Sequence, residues 1–177
     1  GGAPTAQEPV PEFNAVRTAG LYIGQELRAV GINCNLAPVA DINSNPANPV
    51  IGTRSYGDDA ERVAADADAF ATGLQESGVL AVAKHYPGHG DTSIDSHYGL
   101  PSVNKTLEEL RSLELIPFNA VQNADIGAVM AAHIVFPQID STGLPATLSQ
   151  PVLTGVLRKG GFDGLILTDS MRMGAIM

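Results

Sequence analysis

The chain has 177 residues, of which 44% are hydrophobic, and its 19 Asp and Glu outnumber its 10 Lys and Arg to give a net charge of −9. This length and apolar content predict one folded domain and exclude an intrinsically disordered chain. No run of about eighteen apolar residues occurs, so we expect no membrane-spanning helix. The acidic balance argues against nucleic acid as a partner, because phosphate backbones would be repelled. The single cysteine, Cys34, excludes an internal disulfide and a thiolate metal site.

The N-terminal part of the sequence predicts a loop, a helix and a strand, in that order. Residues 1–12 are small and rich in proline, which is typical of a loop. Apolar side chains at helical spacing then predict a helix over 13–30 that ends at Gly31. The apolar run over 32–39 predicts the first strand. We expect the buried face of the helix to carry four apolar residues, Leu21, Ile23, Leu27 and Val30.

Helix and strand alternate again in the next part of the chain. A helix over 58–77 starts with Asp58 and Glu61, whose spacing predicts a capping box. The wholly apolar run over 79–83 then predicts a strand that is buried on both faces. Such strands are typical of a parallel sheet covered by helices.

The C-terminal half contains two further helix–strand units. A helix over 106–124 begins with Thr and Glu at capping-box spacing, and Pro117 predicts a bend within it. A strand over 126–132 follows this helix. A helix over 149–159 and a strand over 165–168 complete the fourth unit.

Ionisable residues follow each of the four predicted strands. They are Asp41, the pair Lys84 and His85, His133, and Asp169. An open doubly wound sheet builds its site mainly at one switch point, whereas a (β/α)8 barrel uses nearly every strand end. The pattern therefore favours an α/β barrel over the open sheet. Four units are about half of what a barrel needs, so we expect the chain to be a fragment of one.

The segment over 84–97, KHYPGHGDTSIDSH, contains three His, two Asp and one Lys. Its Pro and Gly residues exclude a buried strand or a stable helix, so we expect a loop at the mouth of the sheet. One interpretation is a solvated loop whose polar side chains merely cap turns. The other is a catalytic loop, in which Asp95 fixes the tautomer of His97 and orients it as a proton donor.

The same loop offers ligands for a metal ion. Imidazole and carboxylate groups suit zinc or a two-metal hydrolase site. Five such side chains lie in this segment, namely His85, His89, Asp91, Asp95 and His97. The first two His have the H-x3-H spacing of the zincins, but they lie in a Pro-Gly loop and not on a helix. The spacing is therefore compatible with a metal-dependent hydrolase but does not favour this function.

Four residues outside the loop each have two interpretations. Asp169, at the end of the last strand, is a nucleophile, base or ligand, or it caps the following turn. Arg54 binds a substrate hydroxyl or carboxylate, or it lies exposed on the surface. His133 is a structural histidine or a substrate contact, and we expect Cys34 to be a buried, inert thiol.

Several segments of the chain resemble one family. KHYPGHGDTSIDSHYGLP over 84–101, followed by TDSM over 168–171, resembles the β-N-acetylglucosaminidase (β-hexosaminidase) branch of glycoside hydrolase family 3. NLAPVADI over 35–42, GTRSYG over 52–57 and PATLS over 145–149 add to the resemblance. It covers nearly the whole chain, and the long loop motif is the most specific part.

The resemblance implies a (β/α)8 TIM-barrel glycosidase that acts on terminal β-linked N-acetylglucosamine in peptidoglycan fragments or chitooligosaccharides. It also implies that Asp169 is the nucleophile of a retaining mechanism and that His97, assisted by Asp95, is the general acid/base. It implies sugar-binding roles for three further residues, Arg54, Lys84 and His85. No metal or other cofactor is implied.

Compared with the family pattern, part of the barrel is expected to be missing. We interpret residues 1–177 as a partial N-terminal barrel domain without its early strands and its last strand. We therefore expect activity from the full-length protein, as a monomer, and not from this chain alone. The compartment stays open between the cytoplasm and export. Phosphate as the acceptor, metal-dependent hydrolysis and sugar binding without turnover are the alternatives.

Overall fold

Four parallel strands form one sheet in the computed structural model, which describes residues 12–123 and 125–177. The strands follow chain order, and each pairs with its neighbours in the sequence. They are β1 (Cys34–Asn35), β2 (Leu80–Tyr86), β3 (Ala128–Ala131) and β4 (Leu165–Thr168). The loop predicted over 1–12 lies outside the described residues except for Glu12, where the first helix begins. Among the described residues, no helix is long and apolar enough to cross a membrane.

One helix precedes the first strand, and the other four lie in the connections between parallel strands. They are α1 (Glu12–Ala29), α2 (Ala60–Glu76), α3 (Leu107–Ser112), α4 (Leu115–Asn123) and α5 (Pro151–Arg158), the last with π-type hydrogen bonds. The predicted capping box at the start of α3 is confirmed. The amide of Glu109 donates to Oγ1 of Thr106 at 3.2 Å, and the amide of Thr106 donates to Oε2 of Glu109 at 2.7 Å.

The start of α2 differs by one residue from the prediction. The amide of Arg62 donates to Oδ1 of Asp59 at 2.8 Å, which makes Asp59 the N-cap. The predicted capping box of Asp58 and Glu61 is therefore wrong. Adjacent aspartates are equally good caps by residue type, so the backbone geometry decides which of the two takes the position.

The third predicted helix is interrupted before its proline. Leu113 leaves the helical conformation, with φ −141° and ψ −81°, so α3 ends at Ser112 and α4 begins at Leu115. Pro117 then lies in the first turn of α4, where a missing N–H breaks no helical hydrogen bond. The predicted bend at Pro117 is wrong, because the chain turns before this residue.

α1 packs on α2 through glycines. A Cβ on Gly20 would lie 2.4 Å from a backbone oxygen of α2, and a Cβ on Gly73 would lie 2.1 Å from a backbone oxygen of α1. Only glycine permits two helix backbones to approach so closely. Because the glycine face is turned inward, Ile23 and Val30 are 39% and 74% exposed, and their predicted burial is wrong. Leu27 packs partly against the core.

The main core lies between the sheet and the helices that follow its strands. Among its largest buried members are Leu74, Tyr86, Phe118, Phe136 and Leu157. The first strand is shorter than the predicted span over 32–39. Beyond β1, Val39 still forms an isolated bridge with Lys84, and the amide of Ala40 donates to the carbonyl of Lys84 at 2.7 Å. These contacts bring the next residue, Asp41, to the carboxyl end of β2.

Candidate active site

A pocket opens at the carboxyl ends of the strands. Residues from all four strand ends or the segments that follow them line it: Leu36, Val50, Arg54, Lys84, His85, His89, Ser96, His97, Met130 and Asp169. The predicted catalytic and sugar-binding residues are all among these except Asp95. That residue lies beside His97, within hydrogen-bond distance of its ring.

A buried carboxylate, Asp41, organises one side of the pocket. Its Oδ2 lies 2.7 Å from Nδ1 of His85, and its Oδ1 accepts the amide of His89 at 2.7 Å. The amide of His85 donates to both oxygens, at 3.1 and 3.2 Å. Since Asp41 is 0% exposed, these donors replace the water that the carboxylate has lost. Asp41 thereby fixes the end of β2 and the start of the loop after it to the segment that follows β1. Because β2 continues to Tyr86, the prediction that the loop begins at Lys84 is wrong.

The charge of Asp41 determines the tautomer of His85. Burial alone would raise the pKa of the Asp41 carboxyl, but the rings of His85 and His89 and the amide of His89 outweigh burial and hold this pKa below its usual value of 3.8. An ionised carboxylate can only accept hydrogen bonds, so Nδ1 of His85 carries a hydrogen and donates it. In the neutral ring, Nε2 of His85 is then an acceptor at the pocket.

Asp169 lies directly after β4, and its two carboxylate oxygens have different surroundings. Its amide donates to the carbonyl of Ala131 at 3.2 Å, which continues the pairing of β3 with β4. Oδ1 accepts the amide of Ser170 at 2.7 Å, so the side chain does close the following turn. Oδ2 lies 4.0 Å from Nε2 of His85, and the side chain is 23% exposed. The turn therefore fixes one oxygen and leaves the other available for chemistry.

Two cations, Arg54 and Lys84, line the pocket together with Asp169. Nη2 of Arg54 lies 3.5 Å from Nε2 of His85, and Nη1 donates to a carbonyl of the preceding turn at 3.1 Å. Burial lowers the pKa of the Lys84 ammonium and the charge of Arg54 lowers it further, while Asp169 and Asp41 oppose this shift. The pocket thus offers hydrogen-bond donors of both kinds, a planar guanidinium and an ammonium, to a polar ligand.

Asp95 and His97, which we call the Asp–His pair, lie at the mouth of the pocket. Nδ1 of His97 lies 2.7 Å from Oδ1 of Asp95, and the amide of His97 donates to the same oxygen at 2.9 Å. Burial would raise the pKa of the Asp95 carboxyl, but the amide and ring of His97 outweigh it and lower this pKa. Nδ1 of His97 is thus the donor to Asp95, and Nε2 is the nitrogen left to exchange a proton. The side chains of His97 and Asp95 are 57% and 21% exposed.

The five possible metal ligands of the loop do not converge on one point. His89 is only 2% exposed, and its Nδ1 lies 2.7 Å from Oγ1 of Thr92. Asp91 pairs with Nζ of Lys105 at 2.8 Å. Across residues 12–123 and 125–177, no group of three or more His, Cys, Asp or Glu is arranged to hold a metal ion. This geometry gives no support to the metal-dependent alternative.

His133 and Cys34 lie outside the pocket lining. His133 is 1% exposed, its Nε2 lies 3.0 Å from the carbonyl oxygen of Ser170, and its Nδ1 lies 2.8 Å from Oγ1 of Thr147. These contacts support the structural interpretation, since His133 holds the turn that follows Asp169. Cys34 is half-buried on β1 and not fully buried as expected, because β1 is the edge strand of the described sheet.

The sequence patterns predict no role for several residues at the pocket. Leu36, Val50 and Met130 supply its apolar lining, and Ser96 lines it between the members of the Asp–His pair. Met130 lies near the carboxyl end of β3, where strand residues of barrels reach the site. Its position in the predicted strand therefore indicates a place in the pocket. Leu36 and Val50 lie in irregular segments without periodicity, so nothing local in the sequence indicates where they point.

A parallel sheet whose strand ends converge on carboxylates, imidazoles and cations defines the class of TIM-barrel-like α/β domains. The sequence profile described as "Glycosyl hydrolase family 3 N terminal domain" matches residues 5–177. The chain therefore belongs to glycoside hydrolase family 3, as the resemblance predicts. Its strands and helices are part of the barrel of that domain, and the predicted fold class is confirmed.

Three similar proteins illustrate the relationship. A β-hexosaminidase from Methylococcus capsulatus is 41% identical over 160 residues, which are 90% of this chain and 47% of that protein. The structure of a glycoside hydrolase family 3 β-N-acetylglucosaminidase from Paenibacillus sp. has 49% identity and a TM-score of 0.92, over 93% of this chain and 32% of that one. The structure of NagZ from Neisseria gonorrhoeae in complex with N-trifluoroacetyl-D-glucosamine has 38% identity and a TM-score of 0.83. The match covers 90% of this chain and 46% of that one. The chain spans less than half the length of each of these proteins.

Proposed function

We propose that this chain carries the catalytic site of a retaining exo-β-N-acetylglucosaminidase acting on peptidoglycan fragments or chitooligosaccharides. The observation that carries the proposal is that a strand-end carboxylate, Asp169, and an aspartate-paired imidazole, His97, line the same pocket. A retaining glycosidase needs such a nucleophile and such a proton donor at one anomeric carbon. The names of the similar proteins support N-acetylglucosamine as the sugar.

In the first half of the reaction, Oδ2 of Asp169 attacks the anomeric carbon and forms an ester bond to the sugar. The bond from that carbon to the leaving oxygen breaks, and Nε2 of His97 gives its proton to this oxygen, which departs as an alcohol. Asp95 keeps the Nδ1 hydrogen of His97 in place, so the proton is exchanged at Nε2. The residual charge on the sugar ring in the transition state is stabilised by the carboxylate of Asp169.

In the second half, water takes the place of the leaving group. Nε2 of His97 accepts a proton from the water as its oxygen forms a bond to the anomeric carbon, and the ester bond to Asp169 breaks. The sugar departs with its β configuration retained, the carboxylate is restored, and His97 again carries the proton for the next cycle.

The remaining lining residues suit the binding of a pyranose. Arg54 and Lys84 donate hydrogen bonds to ring hydroxyls, and Nε2 of His85, fixed as an acceptor by Asp41, receives one. The apolar side chains Leu36, Val50 and Met130 contact the C–H surfaces of the sugar. Because His85 is held by a buried carboxylate, its position is set before the sugar arrives.

The decisive experiment replaces Asp169 with asparagine in the full-length protein. Asp169→Asn keeps the shape of the side chain but removes the nucleophile, so we expect turnover of an aryl N-acetylglucosaminide to fall by about 10³-fold or more with sugar binding largely retained. Asp163→Asn, at an exposed position before β4, is the matched control and should keep full activity. A 5-fluoro N-acetylglucosaminide with a good leaving group should add one sugar mass to the peptide that contains Asp169. Labelling of another carboxylate would contradict the assignment.

The identity of the acceptor is tested by the products. In phosphate buffer, a hydrolase releases free N-acetylglucosamine, whereas a phosphorylase releases the sugar 1-phosphate. We expect the free sugar, released at the same rate when phosphate is replaced by a non-nucleophilic buffer at equal ionic strength. Accumulation of the 1-phosphate would replace water by phosphate in the second half of the mechanism and leave the first half intact.

A further inference from the structure

Ser96 lies between the two residues of the Asp–His pair, but its side chain is buried where theirs are partly exposed. Asp95 and His97 are partly open to solvent at the pocket mouth, whereas Ser96 is only 2% exposed. Its Oγ lies 3.0 Å from Nε2 of His89, which is also 2% exposed. This is the side-chain hydrogen bond by which the segment over 95–97 reaches the buried part of the site. Across the described part of the chain, the other hydrogen bonds that tie the segment over 95–97 to its surroundings are made by its backbone.

The direction of this hydrogen bond follows from its neighbours. The hydroxyl of Thr92 donates to the carbonyl of His89 at 2.9 Å, so its oxygen accepts from Nδ1 of His89 at 2.7 Å. Nδ1 then carries the hydrogen, and Nε2 accepts from the hydroxyl of Ser96. Burial lowers the pKa of the His89 imidazole, and the nearby His85 lowers it further, although Asp41 opposes this. The neutral ring that the hydrogen bonds require is therefore the favoured form.

His89 is itself held from two further sides. Its amide donates to Oδ1 of Asp41 at 2.7 Å, the same carboxylate that fixes the sugar-facing His85. Its carbonyl accepts a hydrogen bond from Nδ2 of Asn48 at 2.8 Å. A continuous series of short contacts thus leads from the sugar-binding side of the pocket through Asp41 and His89 to Ser96.

We propose that His89 and Ser96 are positioning residues that hold the Asp–His pair over the pocket in the geometry for proton transfer. This inference rests on the proposed function, in which His97 is the general acid/base. The backbone on the far side of the segment is tied separately, since the carbonyls of Ser96 and His97 accept amides of Ala175 and Gly174 at 3.1 and 3.0 Å. The hydroxyl of Ser96 therefore controls the position of the segment over 95–97 relative to the pocket, whereas the backbone hydrogen bonds keep this segment folded.

The test replaces Ser96 with alanine in the full-length protein. Ser96→Ala removes only the hydroxyl, and a shift of His97 by about 1 Å is enough to slow proton transfer by up to about 100-fold. We expect kcat/KM to fall about 10- to 100-fold for a substrate with a poor leaving group. For an activated aryl glycoside, whose leaving group needs no proton, we expect a fall of less than about 3-fold. Ser93→Ala, which removes an exposed hydroxyl from the same loop, is the matched control and should change neither value.

A double-mutant cycle with His97→Ala separates positioning from a general structural effect. If Ser96 acts through His97, adding Ser96→Ala to the His97→Ala protein should lower kcat/KM by less than about 2-fold. An equal loss in both backgrounds would overturn the inference. If His97→Ala alone slowed both kinds of substrate equally, the general-acid role in the proposed function would fail, whatever the result for Ser96.

A second variant guards against a folding defect. His89→Asn places its amide near the position of Nδ1, beside Thr92, and leaves no acceptor at the position of Nε2, so it removes the same hydrogen bond from the other side. We expect it to show the same leaving-group dependence and the same lack of additivity with His97→Ala. Each rate is divided by the folded fraction from circular dichroism. Rates that become equal to those of the unsubstituted protein after this correction would show that His89 and Ser96 serve folding alone.

Discussion

Removing the buried carboxylate of Asp41 should destabilise the protein more than removing any exposed carboxylate. Three N–H donors converge on this side chain, two from His85 and one from His89, and Asp41 is 0% exposed. Asp41→Ala leaves all three donors buried without an acceptor. Asp41→Asn keeps one oxygen and the shape of the side chain but loses the charge.

The magnitude follows from the hydrogen bonds that are lost. Hydrogen bonds to a charged partner contribute about 1.5–3 kcal/mol each, and a buried donor left without an acceptor costs about 1–3 kcal/mol. With three donors affected, we expect Asp41→Ala to lower the free energy of unfolding by about 3–5 kcal/mol and Asp41→Asn by about 2–3 kcal/mol. The asparagine amide can still be accommodated if His85 moves its ring hydrogen from Nδ1 to Nε2, which is why its cost is smaller.

The assay is urea unfolding followed by circular dichroism, with the free energy obtained by linear extrapolation. Asp163→Asn and Asp163→Ala, at an exposed position, are the matched controls and should change the free energy by about 0.5 kcal/mol or less. The Asp41 variants should also lose sugar binding, because His85 is no longer fixed. A cost for Asp41→Ala as small as that of the controls would refute the view that this carboxylate organises the site.

Asp41→Asn should also change how the free energy of unfolding depends on pH. The pKa of Asp41 is lower in the folded protein than its usual value of 3.8, so its ionised form stabilises the fold above that value. This contribution is lost as the pH falls through the folded pKa. We expect the difference in unfolding free energy between the unsubstituted protein and Asp41→Asn to be nearly constant from about pH 7 to 5 and to narrow below about pH 4. If this difference in unfolding free energy grew towards low pH, the pKa of Asp41 would not be lowered in the folded protein.

Three further predictions concern the proton donor, metal dependence and a glycine of the loop, and the last has a control in α5. His97→Ala should slow hydrolysis of substrates with poor leaving groups far more than that of activated aryl glycosides, and equal losses in kcat/KM would contradict the general-acid role. Exhaustive treatment with a chelator should leave the activity of the full-length protein unchanged, whereas a loss that zinc or manganese restores would favour the metal-dependent alternative. Gly90→Ala should destabilise the protein strongly in urea unfolding, since its Cβ would lie 1.6 Å from the backbone oxygen of Ile42. Gly155→Ala, with nothing within 4 Å of the new Cβ, should be neutral or stabilise by up to about 1 kcal/mol.

Sequence patterns predict the elements of this protein best where the signal is local. The capping box of Thr106 and Glu109 and the bounds of β4 are confirmed, because each depends on residues within one turn or one strand. The buried face of α1 is predicted wrongly, since Gly20 and not Ile23 lies against α2. Periodicity identifies an apolar stripe, but the partner helix selects which stripe is covered, and close backbone contact favours the glycines.

The candidate site also contains some features that the sequence predicts and others that it does not. The rule that parallel strands carry functional groups at their carboxyl ends predicts that Asp41, Lys84, His85, His133 and Asp169 lie close together. Three of them, Lys84, His85 and Asp169, line one pocket, whereas Asp41 is buried behind His85 and His133 lies outside the lining. Arg54 and His97, which the family resemblance indicates, line the same pocket. Their roles in catalysis and sugar binding stay predictions. The sequence does not indicate that His85 and His89 are buried while His97 is exposed, because all three lie in one stretch of Pro, Gly and polar residues.

The sequence by itself determines the order of helices and strands, the parallel sheet, and the family to which the loop motif belongs. Only the tertiary structure decides that Asp41 is a shared acceptor for His85 and His89, and that Ser96 is turned towards His89. Asp41 and His85 are 44 positions apart, so their hydrogen bond exists only once the segment after β1 lies beside β2. Local patterns carry no information about such a register, because it is set by the packing of the whole sheet.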